Sequence, residues 1–275
     1  MNKNWKITCL DYGTLTAPKG LFCAGIDDDL VLPFVYSGFL LQDGKSNILI
    51  DTGVHQDNIV DGKAWAGCPA VGGNQKVLNA LKEEGLQPVD IDIVMYTHLH
   101  NDHAGGLALF PDALTILQKD EIANMLNPLP SQLIRGDYDP RTKEDIKKLT
   151  NIRIVDGDFD MDNGIKMFKV PGHTLGGVAF QVQTKEGKYV ITGDMPHLSV
   201  SLFPKLDKME LADGRMIDIT PAPEEFGPYV FNSVIYDHYA ANDSFNKLTL
   251  IAEEFDPKWY LTGHDIWPVR RKYFG

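Results

Sequence analysis

A run of six residues, His98-Leu99-His100-Asn101-Asp102-His103, limits what this chain can become more than any other stretch, because four of its side chains can donate to a metal ion. It follows an apolar stretch, residues 93–97, with the length and β-branched content of a strand, and precedes Ala104, Gly105 and Gly106. Its polar side chains are therefore expected to project from a strand end, where a rigid scaffold positions a site. Imidazole and carboxylate are donors that zinc and iron take, and solubility alone does not require four of them in six residues. In an extended segment alternate side chains share a side, so His98 and His100 can reach a single ion. Asp102 and His103 lie past the strand end and can turn to a second.

One segment cannot complete either site, since each ion needs about four donors, solvent included. The missing donors are expected at other strand ends. Three positions fit: His173 in VPGHTLGG, Asp194 in VITGD and His264 in YLTGHD. Each directly follows an apolar run and stands beside glycine, which lets the backbone crowd an ion.

The pattern along the chain is that of an α/β protein. Further β-like runs cover residues 5–10, 34–41, 47–51, 166–170, 178–183, 188–192 and 259–262. A helix over residues 74–84 places Val77, Leu78 and Leu81 on one face before Gly85, and Asp243 is expected to cap a second that aligns Phe245, Leu248, Ile251 and Phe255. Tyr236, His238 and Tyr239 read as an aromatic helix face. GFLLQDGKSNILIDTG and VAFQVQTKEGKYVITGD each read as a hairpin, and each is followed by a helix and a strand, DIVMYTHLH in one case and PKWYLTGHD in the other. Two halves of similar plan within a single domain over residues 1–275 follow from this. Residues 199–229, rich in Pro, Asp and Met and without a clean period, are expected to form a lid or insertion.

Composition narrows the function classes. A net charge of −12 and a pI near 5.0 oppose binding to nucleic acid or an anionic membrane surface. No apolar run approaches the ~18 residues of a membrane span. The start shows no secretory h-region, giving a cytoplasmic expectation, with a monomer or homodimer. Cys9, Cys23 and Cys68 lack any CxxC pairing and read as reduced thiols. Residues 156–164 alternate acids but miss the glycine and glutamate positions of a calcium loop.

With HLHNDH, His173, Asp194 and His264 in this order, the chain resembles the metallo-β-lactamase superfamily over nearly its whole length. That resemblance implies a four-layer αβ/βα sandwich. It implies that His98, His100 and His173 hold one divalent metal ion, that Asp102, His103 and His264 hold a second, and that Asp194 bridges them. Zinc is expected, though iron, manganese and cobalt suit the same donors. Asp51, in Ile50-Asp51-Thr52-Gly53, matches the family's acid that supports a ligating histidine from behind. Within the superfamily the chain is most similar to N-acyl-homoserine lactonases and 4-pyridoxolactonase, which implies a small-molecule substrate and lactone opening by a hydroxide shared between the metals, with Asp102 relaying the proton. Those lactonases carry Tyr three residues after the bridging Asp; this chain has His197 there, so either His197 takes over the hydrogen bond to the substrate carbonyl or the substrate differs. Phe22, Phe34, Tyr36, Phe203 and Tyr229 are candidate substrate contacts near the pocket mouth. Two rival activities are a glyoxalase II-like thioesterase or other carboxylic ester hydrolase, and a mononuclear-iron oxidoreductase of the same fold.

Overall fold

In a computed structural model, which describes residues 4–275, the strands collect into two main sheets and a separate two-stranded hairpin. The first half supplies β1 (Lys6–Pro18), β2 (Val31–Gln42), β3 (Asn47–Ile50), β4 (Ala70–Val71), β5 (Ile93–Met95), β6 (Leu114–Gln118) and β7 (Ile152–Val155). The second half supplies β8 (Phe159–Asp160), β9 (Ile165–Lys169), β10 (Val178–Gln183), β11 (Lys188–Gly193), the hairpin β12 (Lys208–Glu210) with β13 (Met216–Asp218), then β14 (Tyr260–Thr262) and β15 (Tyr273–Phe274). The first sheet runs β15-β1-β2-β3-β5-β6-β7 with β4 beside β1, and the second runs β14-β11-β10-β9-β8. The helices are α1 (Asn74–Glu83), α2 (Lys119–Leu126), α3 (Pro130–Arg135), α4 (Pro140–Ile146), α5 (Ser199–Leu202), α6 (His238–Leu248) and α7 (Ile266–Arg271).

Strand alternation separates two cores. Leu40, Leu49 and Val94 face one way and pack with Val77, Ala80 and Leu81 of α1. Phe39, Leu41, Ile48, Ile50 and Met95 face the other way and meet Met167, Phe180, Val190 and Leu261 of the second sheet, with Ala241, Phe245 and Leu248 of α6 in the same cluster. Helix, sheet, sheet and helix are thus stacked as the four-layer αβ/βα sandwich. The two halves share a plan: the hairpin β2–β3 leads through α1 to β5, parallel to β3, and the hairpin β10–β11 leads through α6 to β14, parallel to β11. The carboxyl ends of these parallel pairs are where an α/β sheet leaves a crevice. Asp51 and the HLHNDH run leave β3 and β5; Asp194 and His264 leave β11 and β14.

Two details differ from the expectations. The α6 cap is Asp237, whose carboxylate accepts from the Ala240 N–H at 3.0 Å, so Asp243 sits inside the helix and Phe255 lies beyond its end, half exposed. An Asp at the true N-cap outcompetes one placed a turn and a half later, because only the former meets free backbone N–H groups. Tyr239 is 89% exposed, so the aromatic residues before and within α6 do not form a packed face. Within residues 199–229, Ser199, Val200, Ser201 and Leu202 form the buried α5, and β12 and β13 follow as a hairpin.

The loops that carry the site meet backbone to backbone. Gly105 N–H donates to the Gly53 carbonyl at 2.8 Å, and a Cβ at Gly105 would stand 2.2 Å from His55 N and 2.6 Å from Val54 C. Neither atom is the end of a flexible side chain. Gly105→Ala is therefore expected to destabilise the fold by about 2–3 kcal/mol, read as a lower urea midpoint at unchanged m-value; a wild-type midpoint would mean the two loops separate freely.

Candidate metal centre

The expected donors converge at the strand ends. Ligating atoms of His98, His100 and His173 lie within 4.8 Å of one another, as do those of His98, His103 and Asp194, and those of Asp102, His103 and His264. Asp194 is central: its Oδ1 is 3.2 Å from His103 Nε2 and 3.2 Å from His264 Nε2, and its Oδ2 is 3.5 Å from His173 Nε2 and 3.8 Å from His98 Nε2. His100 Nδ1 comes within 2.9 Å of His173 Nε2. Asp102 stands at the edge, 21% exposed, with carboxylate oxygens 3.9 Å from His103 Nε2 and 3.8 Å from His264 Nε2. Gly263 makes room for this crowding, since a Cβ there would fall 2.6 Å from Asp194 Oδ1.

What stands behind each ring decides what its front presents. His103 Nδ1–H donates to Asp51 Oδ2 at 2.9 Å, His264 Nδ1–H to the Val35 carbonyl at 2.8 Å and His173 Nδ1–H to the Val234 carbonyl at 3.3 Å. Thr97 Oγ1 gives its proton to Asp51 Oδ2 at 2.7 Å, so it accepts from His98 Nδ1 at 3.1 Å. In their neutral forms all four rings would therefore turn an Nε2 lone pair into the cluster. His98 Nε2, His103 Nε2 and Asp194 Oδ1 are buried without a hydrogen-bond partner, and electron pairs facing one another across about 3 Å need a cation between them. The donor set thus fits a pair of divalent ions.

The electrostatics agree. Burial, followed by the neighbouring His103 and His100, pushes His98 well below the usual histidine range, and burial with His197 and His100 does the same to His173, leaving neutral rings. Burial opposes charge on His103 too, but Asp194, Asp102 and Asp51 outweigh it and raise its pKa well above the usual value. Asp194 resists burial through His197, His264 and His103 and is held well below the usual carboxylate range. A positive charge belongs between His103 and Asp194, and a metal ion supplies it as well as a proton does.

Two buried acids hold the loops in place. Asp51 accepts from Thr97 N–H at 2.8 Å as well as from Thr97 Oγ1 and His103. Glu121, near the start of α2, accepts from Leu99 N–H at 2.9 Å, Gly176 N–H at 3.2 Å and Tyr138 OH at 3.1 Å, tying the HLHNDH loop to the loop after His173. The sequence reading passed over Glu121, because nothing near it in the chain marks a partner 22 or 55 residues away.

The donors floor a cleft of about 400 Å³, open mouth included, walled by Leu15, Phe22, Trp65, Asn101, Asp137 and Val234. His197 belongs to this site: it is buried, its Nε2 lies 3.0 Å from Asp194 Oδ2, and its ring stacks on His264 at 5.5 Å. Of the five aromatic candidates, Phe22 lines the cleft, Phe34 packs behind it at 4.5 Å and buried Tyr36 meets the edge of His264 at 6.5 Å. Phe203 and Tyr229 sit elsewhere: Phe203 packs on Phe255 and Tyr260, and Tyr229 packs on Phe245 and bonds Asn246. The Pro-rich composition of their segment signalled a surface loop, but its first turn is core. Trp65 went unnoticed, although a tryptophan in the Gly-rich stretch 62–73 was a usable signal; its Nε1–H donates to Asp137 Oδ1 at 3.1 Å.

Residues 32–264 match the family model described as Metallo-beta-lactamase superfamily. An N-acyl homoserine lactonase of Bacillus cereus is 30% identical over 164 residues, 57% of this chain and 62% of the relative, so the match spans less than two thirds of that protein's length. Among solved structures, an N-acyl homoserine lactone hydrolase with N-hexanoyl-L-homoserine at its catalytic metal centre superimposes with a TM-score of 0.73 at 21% identity, covering 100% of both chains. AidC, a dizinc quorum-quenching lactonase, gives 0.68 at 19% identity, covering 99% of this chain and 91% of its own. Among the described residues no helix is long and apolar enough to cross a membrane.

Proposed function

Because the chain belongs to the metallo-β-lactamase superfamily, we propose that its cleft is the active site of a metal-dependent hydrolase that opens lactones. The observation that carries this reading is the convergence of the unpartnered Nε2 atoms of His98 and His103 on the Asp194 carboxylate, at Oδ2 and Oδ1 respectively, at the floor of a cleft whose walls include Leu15, Phe22, Trp65 and Val234. His98, His100 and His173 would hold one ion, Asp102, His103 and His264 the other, and Asp194 both. When bound, two such cations supply an activated water near neutral pH and Lewis acidity toward a carbonyl oxygen.

The remaining work falls to the chain. Leu15, Phe22, Trp65 and Val234 hold the apolar part of the substrate and exclude water around the reacting ester. Asp102, the most exposed carboxylate of the cluster, accepts the proton released by the attacking water and delivers it to the leaving alkoxide oxygen as the ring opens. His197, whose Nε2 lies 3.0 Å from Asp194 Oδ2, would share its N–H between that carboxylate and the substrate carbonyl oxygen, the part that tyrosine plays in similar lactonases.

The experiment is metal analysis and a substrate panel on one preparation. Two divalent ions per chain are expected, with kcat/KM for acyl-homoserine lactones at least about tenfold above that for acyl thioesters. Chelation should abolish turnover and zinc restore it. Thioester preference would favour the thioesterase reading, and one iron per chain with oxygen consumption would replace hydrolysis by redox chemistry.

A further inference from the structure

His197 is the one imidazole of the cluster whose back faces a donor. Its Nδ1 lies 2.6 Å from the side-chain nitrogen of Asn232, which is buried. The orientation of that amide follows from its other end, because Asn232 Oδ1 accepts the Val234 N–H at 2.9 Å and only oxygen can do so. Asn232 therefore offers N–H to His197, and Nδ1 must carry the lone pair. The proton of the neutral ring is then on Nε2, the atom that reaches Asp194 Oδ2 at 3.0 Å and lines the cleft.

From these contacts we propose that Asn232 is a positioning residue that fixes His197 in its Nε2–H form, making it a hydrogen-bond donor in the cleft and barring it from metal ligation. By distance alone His197 could join His173 and Asp194 as a third ligand group. Its tautomer removes that option: an Nε2 bearing a proton has no lone pair for an ion, whereas His98, His103, His173 and His264, backed by acceptors, keep theirs. The same amide that closes His197 to the metals leaves its Nε2–H on Asp194 Oδ2 in the lining of the cleft, where a substrate oxygen would share it. This rests on the lactone-opening reading only for the identity of that oxygen; the tautomer itself does not depend on it.

Asn232→Asp tests the assignment with little change of shape. Its carboxylate still accepts the Val234 N–H, keeping the turn, but offers His197 an acceptor, so the proton should move to Nδ1. Long-range 1H–15N correlation spectra of zinc-loaded, ring-15N-labelled protein read the tautomer, with His197 assigned by the signal lost in His197→Gln. Nε2–H in the native chain and Nδ1–H in Asn232→Asp are expected, with kcat for lactone opening down by about tenfold or more and KM changed less. Nδ1–H in the native chain, or an Nδ1 without a proton in the variant, would overturn the proposal whatever the enzyme hydrolyses. The expected tautomers in a protein inactive on every lactone would uphold the role of Asn232 and sink the substrate reading alone.

Discussion

Asp194→Ala is expected to leave fewer than two metal ions on each folded chain and to lower kcat/KM for lactone opening by more than about 10²-fold. The carboxylate lies within 4 Å of five imidazole nitrogens, those of His98, His103, His173, His197 and His264. Among the described residues it is the only anion at the centre of the buried floor, since Asp102 stands at the edge and Asp51 is spent on Thr97 and His103 from behind. In the proposed centre its loss would take one donor from each ion and the negative charge that would let two cations sit side by side. Partners that merely orient metal ligands cost 10–100-fold when lost, so a residue that would hold both ions should exceed that range. Asp194→Asn keeps the shape and isolates the charge; it should lose metal similarly while unfolding at a wild-type midpoint. Elemental analysis of either variant showing two ions per chain would remove Asp194 from the centre.

The readable parts of this site share one property: their signal is local. HLHNDH places four donors on a single strand exit, and His173, Asp194 and His264 each follow an apolar run and adjoin glycine. Both hairpins were legible for the same reason, through alternation and a polar turn, and with them the repeated plan of the halves. Strands β6 and β7 were not, although LTILQ is apolar enough, because parallel strands joined by helices lack the turn that frames a hairpin. Asn232 shows the limit most clearly. Its function depends on a backbone N–H two residues ahead and a ring 35 residues behind, and an asparagine between Phe231 and Ser233 looks like any loop residue. Phe203 and Tyr229 fail in the opposite direction, as aromatic side chains in a polar segment that fold into the core instead of lining the cleft.

Asp51 extends the tautomer logic to the metal ligands and gives the second large effect. Its carboxylate is 1% exposed and accepts three hydrogen bonds, from Thr97 N–H, Thr97 Oγ1 and His103 Nδ1, while its own backbone is left-handed at φ 61°. Asp51→Ala would strand three buried donors and hold a Cβ residue in the left-handed region, so a loss of about 4 kcal/mol in folding stability is expected by urea unfolding. Asp51→Asn separates that loss from the chemistry. Asparagine tolerates the left-handed backbone and can still accept from Thr97 N–H, but its amide nitrogen confronts His103 with a donor. His103 then does best with its proton on Nε2, the atom that faces Asp194. The expected result is a nearly native unfolding midpoint with metal affinity reduced about 10–100-fold, measured by competition with a chromogenic chelator. Native affinity in Asp51→Asn would mean that His103 does not take its protonation state from Asp51, and the account of four rings turning lone pairs inward would fall with it.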